Sequence, residues 1–176
     1  MIISSQKMIQ FRCMLLWGIA IVFFSCSTSR QIENKQCKEI YNSLGLNKER
    51  KDNFALYQEA ASWLHIRHVT GGTSRNGTDC SFLVNSIYKA VYNKNLERNS
   101  VGMLNKNCER LSRSNLKEGD LVFFNTSGTS KSNVNHVGIY LKDNKFLHAS
   151  TSKGVIVCDL DDNYYRKVWV CGGRVK

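Results

Sequence analysis

VNHVGIYLKDNKFLHAS, residues 134–150, is the stretch on which the reading of this chain turns. Two runs rich in β-branched and aromatic residues, Val134 to Leu141 and Lys145 to Ser150, flank Asp143-Asn144, a pattern that reads as a β-hairpin. Each run carries one histidine, His136 and His148. Register decides whether the two imidazoles meet, because a slip of one residue sends a side chain to the opposite face. A three-residue loop, Lys142-Asp143-Asn144, with Asn144 in the left-handed conformation sets Leu141 opposite Lys145 and Gly138 opposite His148. His136 and His148 are then diagonal neighbours on one face. A two-residue loop at Asp143-Asn144 puts them on opposite faces instead. Asn suits the left-handed position of the longer loop, and Gly138 opposite His148 leaves room for a ring.

Outward from the hairpin, the pattern changes class. Leu121 to Phe124, Gly154 to Cys158 and Val168 to Cys171 are short and strand-like, with a polar loop from Asn125 to Asn133. Upstream the spacing is helical: Ile40, Leu44 and Leu46, then Phe54, Leu56, Tyr57, Ala60, Ala61 and Leu64, joined by the charged Lys48 to Asp52. Residues 65–79 read as loop. Helices first and strands afterwards predict an α+β domain with its helices segregated against an antiparallel sheet.

A further helix begins at Thr78-Asp79-Cys80-Ser81, where Phe82, Leu83, Ile87, Ala90 and Val91 recur at helical spacing up to about Tyr92. Asp79 is an N-cap candidate. Cys80 therefore stands at a helix start, where free backbone N–H groups and the helix dipole favour a thiolate, the nucleophilic form. Taken alone, Cys80 reads equally as a half-buried small residue or half of a disulfide. Either histidine alone is more often a surface or core residue. Together they supply what a thiol nucleophile needs: an imidazole to take the proton and a polar group to orient that imidazole.

The N-terminus points to export. Lys7 and Arg12 are the only charges in residues 1–25, and Cys13 to Phe24 is an apolar run of about a dozen residues, the length of a signal-peptide core. That is short of the roughly 20 residues that cross a bilayer. Phe23-Phe24-Ser25-Cys26 resembles a bacterial lipoprotein signal, with Cys26 as the lipidated residue; an ordinary signal peptide and an uncleaved anchor are the alternatives. The expected organisation is a signal over 1–25, a polar tether over 26–37 and one domain over 38–176. Without Lys7 and Arg12 the formal charge falls from +11 to +9, which favours anionic surroundings, and an exported chain meets envelope polymers and lipid headgroups rather than nucleic acid. No basic patch interleaved with aromatics is present. Outside the cytoplasm disulfides persist, and Cys37, Cys108, Cys158 and Cys171 allow three pairings. Cys158 and Cys171 end neighbouring apolar runs and form the pairing to look for. The absence of a C-x-x-C pair argues against structural zinc.

Six stretches in order resemble the NlpC family of papain-like cysteine peptidases, which cut the peptide stems of bacterial cell walls. They are Gly71-Gly72, Asp79-Cys80-Ser81, Leu96 to Ser100, Gly119 to Phe124, His136 to Tyr140 and Phe146 to Ser150, and the likeness runs roughly over residues 54–175. It implies a papain-like fold, with a Cys-bearing helix on an antiparallel sheet of five or six strands. It also implies Cys80 as nucleophile, His136 as general base and His148 as orienter, with His68 and Ser81 as candidates for substrate or oxyanion contact. The bond implied is that between D-γ-glutamate and a diamino acid, cut by a monomer in the cell envelope without metal or organic cofactor. Three departures stand out. Phe82 replaces a glycine, and His65-Ile66-Arg67-His68 replaces Gly-Thr-Pro-Tyr. Arg67, Glu97 and Glu118 stand for prolines in a chain that has none. His68 either substitutes for the tyrosine as a hydrogen-bond donor or is an exposed loop residue, and His65 reads as surface. The rival readings are an inactive binding module of the same fold and an amidase or acyltransferase with the same triad.

Overall fold

The computed structural model of the protein describes residues 31–128 and 133–176. The signal segment and Cys26 lie outside the described residues. The chain divides into two units, residues 1–39 and 40–176. Residues 31–43 are helical (α1), so residues 31–37, read above as tether, have helical backbone. Among the described residues no helix is long and apolar enough to cross a membrane.

In the second unit, α2 (Phe54–Trp63) starts where the Asn53 side chain accepts from the Leu56 N–H at 3.3 Å, and it buries Leu56, Tyr57, Ala60 and Trp63. Glu118 accepts from the Asn53 N–H at 2.7 Å and the Tyr57 hydroxyl at 2.9 Å, so a carboxylate ties the helix start to the loop before the sheet. The segment read as loop contains a two-residue hairpin, β1 (Thr73–Ser74) with β2 (Gly77–Thr78). Next comes α3 (Cys80–Tyr92), capped by Asp79 and ended by Asn93 at φ 53°, a left-handed stop that asparagine tolerates. Its buried face is Leu83, Val84, Ile87 and Tyr88. Ala90, expected on that face, is exposed, and Phe82 and Val91 are half-buried.

After a short turn of helix, α4 (Ser100–Gly102), continued by a π-helical turn (Met103–Asn107), the described residues form six strands, with a 3-10 turn (Arg113–Asn115) and one α-helix among them. They are β3 (Cys108–Leu111), β4 (Leu121–Phe124), β5 (His136–Tyr140), β6 (Lys145–Ser150), β7 (Gly154–Asp159) and β8 (Trp169–Val175), with α5 (Asn163–Val168) before the last. The sheet order is β3-β8-β4-β5-β6-β7, and each neighbouring pair is antiparallel. The architecture is the α+β arrangement expected. β8 inserts between β3 and β4, which places β7 and β8 apart with three strands between them. The expected proximity of Cys158 on β7 and Cys171 on β8 is therefore wrong, and Cys37, Cys80, Cys108, Cys158 and Cys171 are all free thiols.

The β5–β6 register is that of the three-residue loop. Ile139 faces Leu147, Tyr140 faces Phe146, and the Leu141 N–H donates to Lys145 O at 2.9 Å. Asn144 has φ 58°, and Asp143 shares the left-handed region at φ 52°. A Cβ on Gly138 would lie 2.7 Å from Leu147 O and 3.2 Å from the His148 Cβ, so this position requires glycine. Lys142 at the loop is paired with Asp52 at 2.9 Å, both side chains largely buried, and this pair holds the turn against the segment between α1 and α2.

Candidate active site

Cys80 is the first residue of α3, and its position is fixed by a braced cap. The Asp79 carboxylate accepts from the Phe82 N–H at 2.8 Å and is gripped by Arg98 through two bonds of 2.7 Å, while Arg98 also donates to Gly72 O at 3.1 Å. The Ser81 hydroxyl is buried in this cluster, 2.8 Å from Arg98 O and 3.0 Å from Asp79 Oδ1. Phe82, in place of the family's glycine, packs edge-on against Trp63, with the Arg98 guanidinium above its ring.

Opposite α3, β5 and β6 pair only at Ile139–Leu147 and Tyr140–Phe146, so the Val137 N–H is left over where the strands part. It donates to the Cys80 sulfur, which places the thiol beside the residue that follows His136. Burial raises the Cys80 thiol above its ordinary value. The N–H groups of Val137, Ser81 and Cys80 itself oppose that rise, and the Asp79 carboxylate adds to it. The thiolate favoured by the helix start thus loses to desolvation, and the resting group is a thiol.

The diagonal placement brings the imidazoles together: His136 Nε2 and His148 Nδ1 are 2.8 Å apart, with the rings nearly perpendicular at 89°. His148 is buried, and the His136 ring lies at the edge of the Phe124 side chain. Desolvation holds His136 down to about 4, with His68 adding to the shift, and holds His148 down to about 3, with His136 adding to it. Both rings are neutral near pH 7. His68 bridges Thr78 in β2 and is half-buried, and its charge adds to the lowering at His136. His65, by contrast, is exposed and uses its N–H on Val155 O.

Tyr165 is a member of the site that the sequence pattern did not reveal. Its hydroxyl is 2.9 Å from His148 Nε2, and its ring packs against Phe124 and Phe146. It lies on α5, whose six residues are too few for helical periodicity to register. A cleft of about 480 Å³ opens beside the imidazoles, lined by His136, His148, Ser150, Lys153, Tyr164 and Tyr165 among others. Among the described residues no group of three or more His, Cys, Asp or Glu side chains is placed to hold a metal ion.

A sequence model of the NlpC/P60 family matches residues 66–174. The murein DD-endopeptidase and LD-carboxypeptidase MepS of Escherichia coli is 29% identical over 163 residues, 85% of this chain and 84% of that protein. The probable endopeptidase NlpC of the same species is 38% identical over 112 residues, 64% of this chain and 71% of that protein. Among solved structures, a lipoprotein-like NLP/P60 family protein of Staphylococcus aureus superposes with a TM-score of 0.60 at 26% identity. The match covers 73% of this chain but 45% of that one, so this chain spans less than half of that protein.

Proposed function

This chain belongs to the NlpC/P60 family, and on that premise we propose that it is a cysteine peptidase hydrolysing peptide stems of murein in the cell envelope. The observation that carries the reading is the His136–His148 contact at 2.8 Å beside a thiol at the start of α3. In the reaction, His136 takes the Cys80 proton, the sulfur attacks the carbonyl carbon, and the backbone N–H groups at the helix start receive the oxyanion. The proton passes from His136 to the leaving amine as the C–N bond breaks. Water then cleaves the thioester, its proton returning through His136 to the thiol. His148 orients His136, and His68 is assigned to substrate contact.

The bond assigned is that between D-γ-glutamate and the diamino acid. A second reading, cleavage of the DD cross-bridge, is favoured by the name of the E. coli relative that aligns with 85% of this chain. Mass analysis of products from defined muropeptides separates the two. The rival of a binding module without turnover draws on His68, Phe82 and the raised thiol. It is upheld if purified protein and Cys80→Ala leave muropeptides equally uncut, and overturned if only the variant does. Membrane attachment through a lipidated Cys26 belongs to the same proposal, and radiolabelled palmitate incorporated by the wild type and not by Cys26→Ser is the result it requires.

A further inference from the structure

The cleft beside the imidazoles carries two charges that the proposed reaction does not use. Lys153 and Asp162 both line it and both are exposed. Among the described residues neither is in an ion pair, with the other or with any third group. Asp162 stands where an aspartate ordinarily caps a helix, yet its side chain makes no cap bond to α5, so its carboxylate is left to the cleft. Ser150, Thr151 and Ser152 add hydroxyls to the same wall.

The proton decides which half of a substrate enters here. The leaving amine is protonated by His136, so it departs within hydrogen-bond reach of that ring. His136 and His148 line the cleft, whereas Cys80, which keeps the acyl half, is not in its wall among the described residues. The amine-side half is therefore the one that extends into the cleft, and for the bond assigned above that half is the diamino acid. β6 carries the wall about 7 Å from His148 to Ser150, and the turn over 151–153 prolongs it. A 2,6-diamino acid sets its second amine-bearing carbon about 5 Å from its first when extended. Its far end thus comes level with the wall from Ser150 to Lys153.

We propose that Lys153 and Asp162 determine specificity by holding the far end of the diamino acid as a zwitterion, Lys153 taking a carboxylate and Asp162 the ammonium. The chain then selects a 2,6-diamino diacid over lysine. A lysine side chain ends in an ammonium alone, which satisfies Asp162 but brings a like charge toward Lys153 with no carboxylate to meet it.

The proposal rests on the peptidase reading, and its test separates the two. Full-length protein is given two synthetic stems that differ only in the side-chain carboxylate, one built with the diamino diacid and one with lysine. The diacid stem should show a kcat/KM about tenfold higher, the scale of one charge-assisted hydrogen bond in an open cleft. Lys153→Met keeps the length of the side chain and removes its charge; it should raise KM for the diacid stem about tenfold at unchanged kcat, and Lys153→Arg should keep the preference. Asp162→Asn should weaken both stems alike. Equal kcat/KM for the two stems, or a preference that survives Lys153→Met, overturns the proposal and leaves the peptidase reading in place. Calorimetry on the Cys80→Ala protein needs no turnover. If the wild type cuts neither stem, but the Cys80→Ala protein binds the diacid stem more tightly and Lys153→Met in that background levels the two, the zwitterion site stands and the peptidase reading falls. Neither cleavage nor a difference in binding overturns both.

Discussion

Gly138→Ala tests the claim that one glycine sets the geometry of the histidine pair. The added Cβ would sit 2.7 Å from Leu147 O, 2.9 Å from a Phe146 ring carbon and 3.2 Å from the His148 Cβ. Ordinary contact begins near 3.4 Å, so the carbonyl must retreat by several tenths of an ångström. Leu147 is paired with Ile139 in the ladder, and its carbonyl retreats only if β6 moves away from β5. Overpacking of this kind costs about 1–3 kcal/mol. Alanine in a strand recovers about 0.5–1 kcal/mol through a stiffer unfolded chain. The net expectation is a loss of up to about 2.5 kcal/mol, centred near 1, or a Tm lowered by roughly 3–5 °C at the centre of that range for a unit of this size. Activity falls further than stability does, because the displacement is applied at His148, and a misplacement near 1 Å costs about 100-fold. Calorimetry and turnover of a muropeptide are measured together, with Gly45→Ala as control. Gly45 has φ 65° and open space around it, so its variant suffers backbone strain of about 1–2 kcal/mol without loss of kcat. A Gly138→Ala protein with wild-type Tm and wild-type kcat refutes the register argument.

Cys80→Ala should lose at least about 1,000-fold in kcat on muropeptides while its circular dichroism and Tm stay near wild type, since the nucleophile carries both chemical steps. Asp79→Asn keeps the cap but removes the carboxylate that raises the Cys80 thiol, so iodoacetamide should label Cys80 faster than in wild type, and Tm should fall as the Arg98 ion pair is lost. The buried histidines make stability acid-sensitive. Their folded pKa values, about 4 and about 3, lie below the ordinary 6.5, so between these limits the unfolded chain binds more protons and stability falls as pH falls. Denaturant titrations from pH 6 to pH 5 should show a slope approaching 1.4 kcal/mol per pH unit for each ring, and His148→Asn should remove about half of it. A slope unchanged by that variant contradicts the burial assigned to His148.

What was legible in the chain is what local chemistry dictates. Asn144 and Gly138 are enough to choose the hairpin register, because a left-handed loop position and a close approach across strands exclude most other residues. Asp79 before an apolar spacing marks the start of α3, and its cap bond is present. The face of that helix was read one notch off: Ala90 is exposed while Val84 and Tyr88 are buried, since β5 and β6 rather than the spacing decide which stripe is covered. The insertion of β8 between β3 and β4 left no local trace, as a strand's partner is a long-range choice, and the Cys158–Cys171 expectation failed for that reason. Tyr165 escaped because a six-residue helix carries under two turns of pattern. Glu118 shows the opposite case: it stands where the family has proline, and its carboxylate accepts from the Asn53 N–H and the Tyr57 hydroxyl, partners 65 and 61 residues away that no local pattern marks.

The thiol is the place where two correct local rules compete and magnitude decides. A helix N-terminus stabilises a nearby anion by about 0.3–1 kcal/mol. Desolvation of a buried acid shifts it by up to 3–5 pKa units, each worth about 1.4 kcal/mol, so burial wins even when several N–H groups point at the sulfur. The same burial pushes both imidazoles toward the neutral form, and the resting centre therefore carries no net charge at Cys80, His136 or His148. A neutral thiol beside a neutral imidazole is a competent pair, since one proton transfer yields thiolate and imidazolium together, and each then stabilises the other in a medium of low polarity. Slow alkylation of the free protein consequently does not identify an inactive module here. The discriminating quantity is whether labelling accelerates when a peptide stem occupies the site. Acceleration marks a centre that separates charge on demand, whereas a rate indifferent to the stem marks a thiol that is only buried.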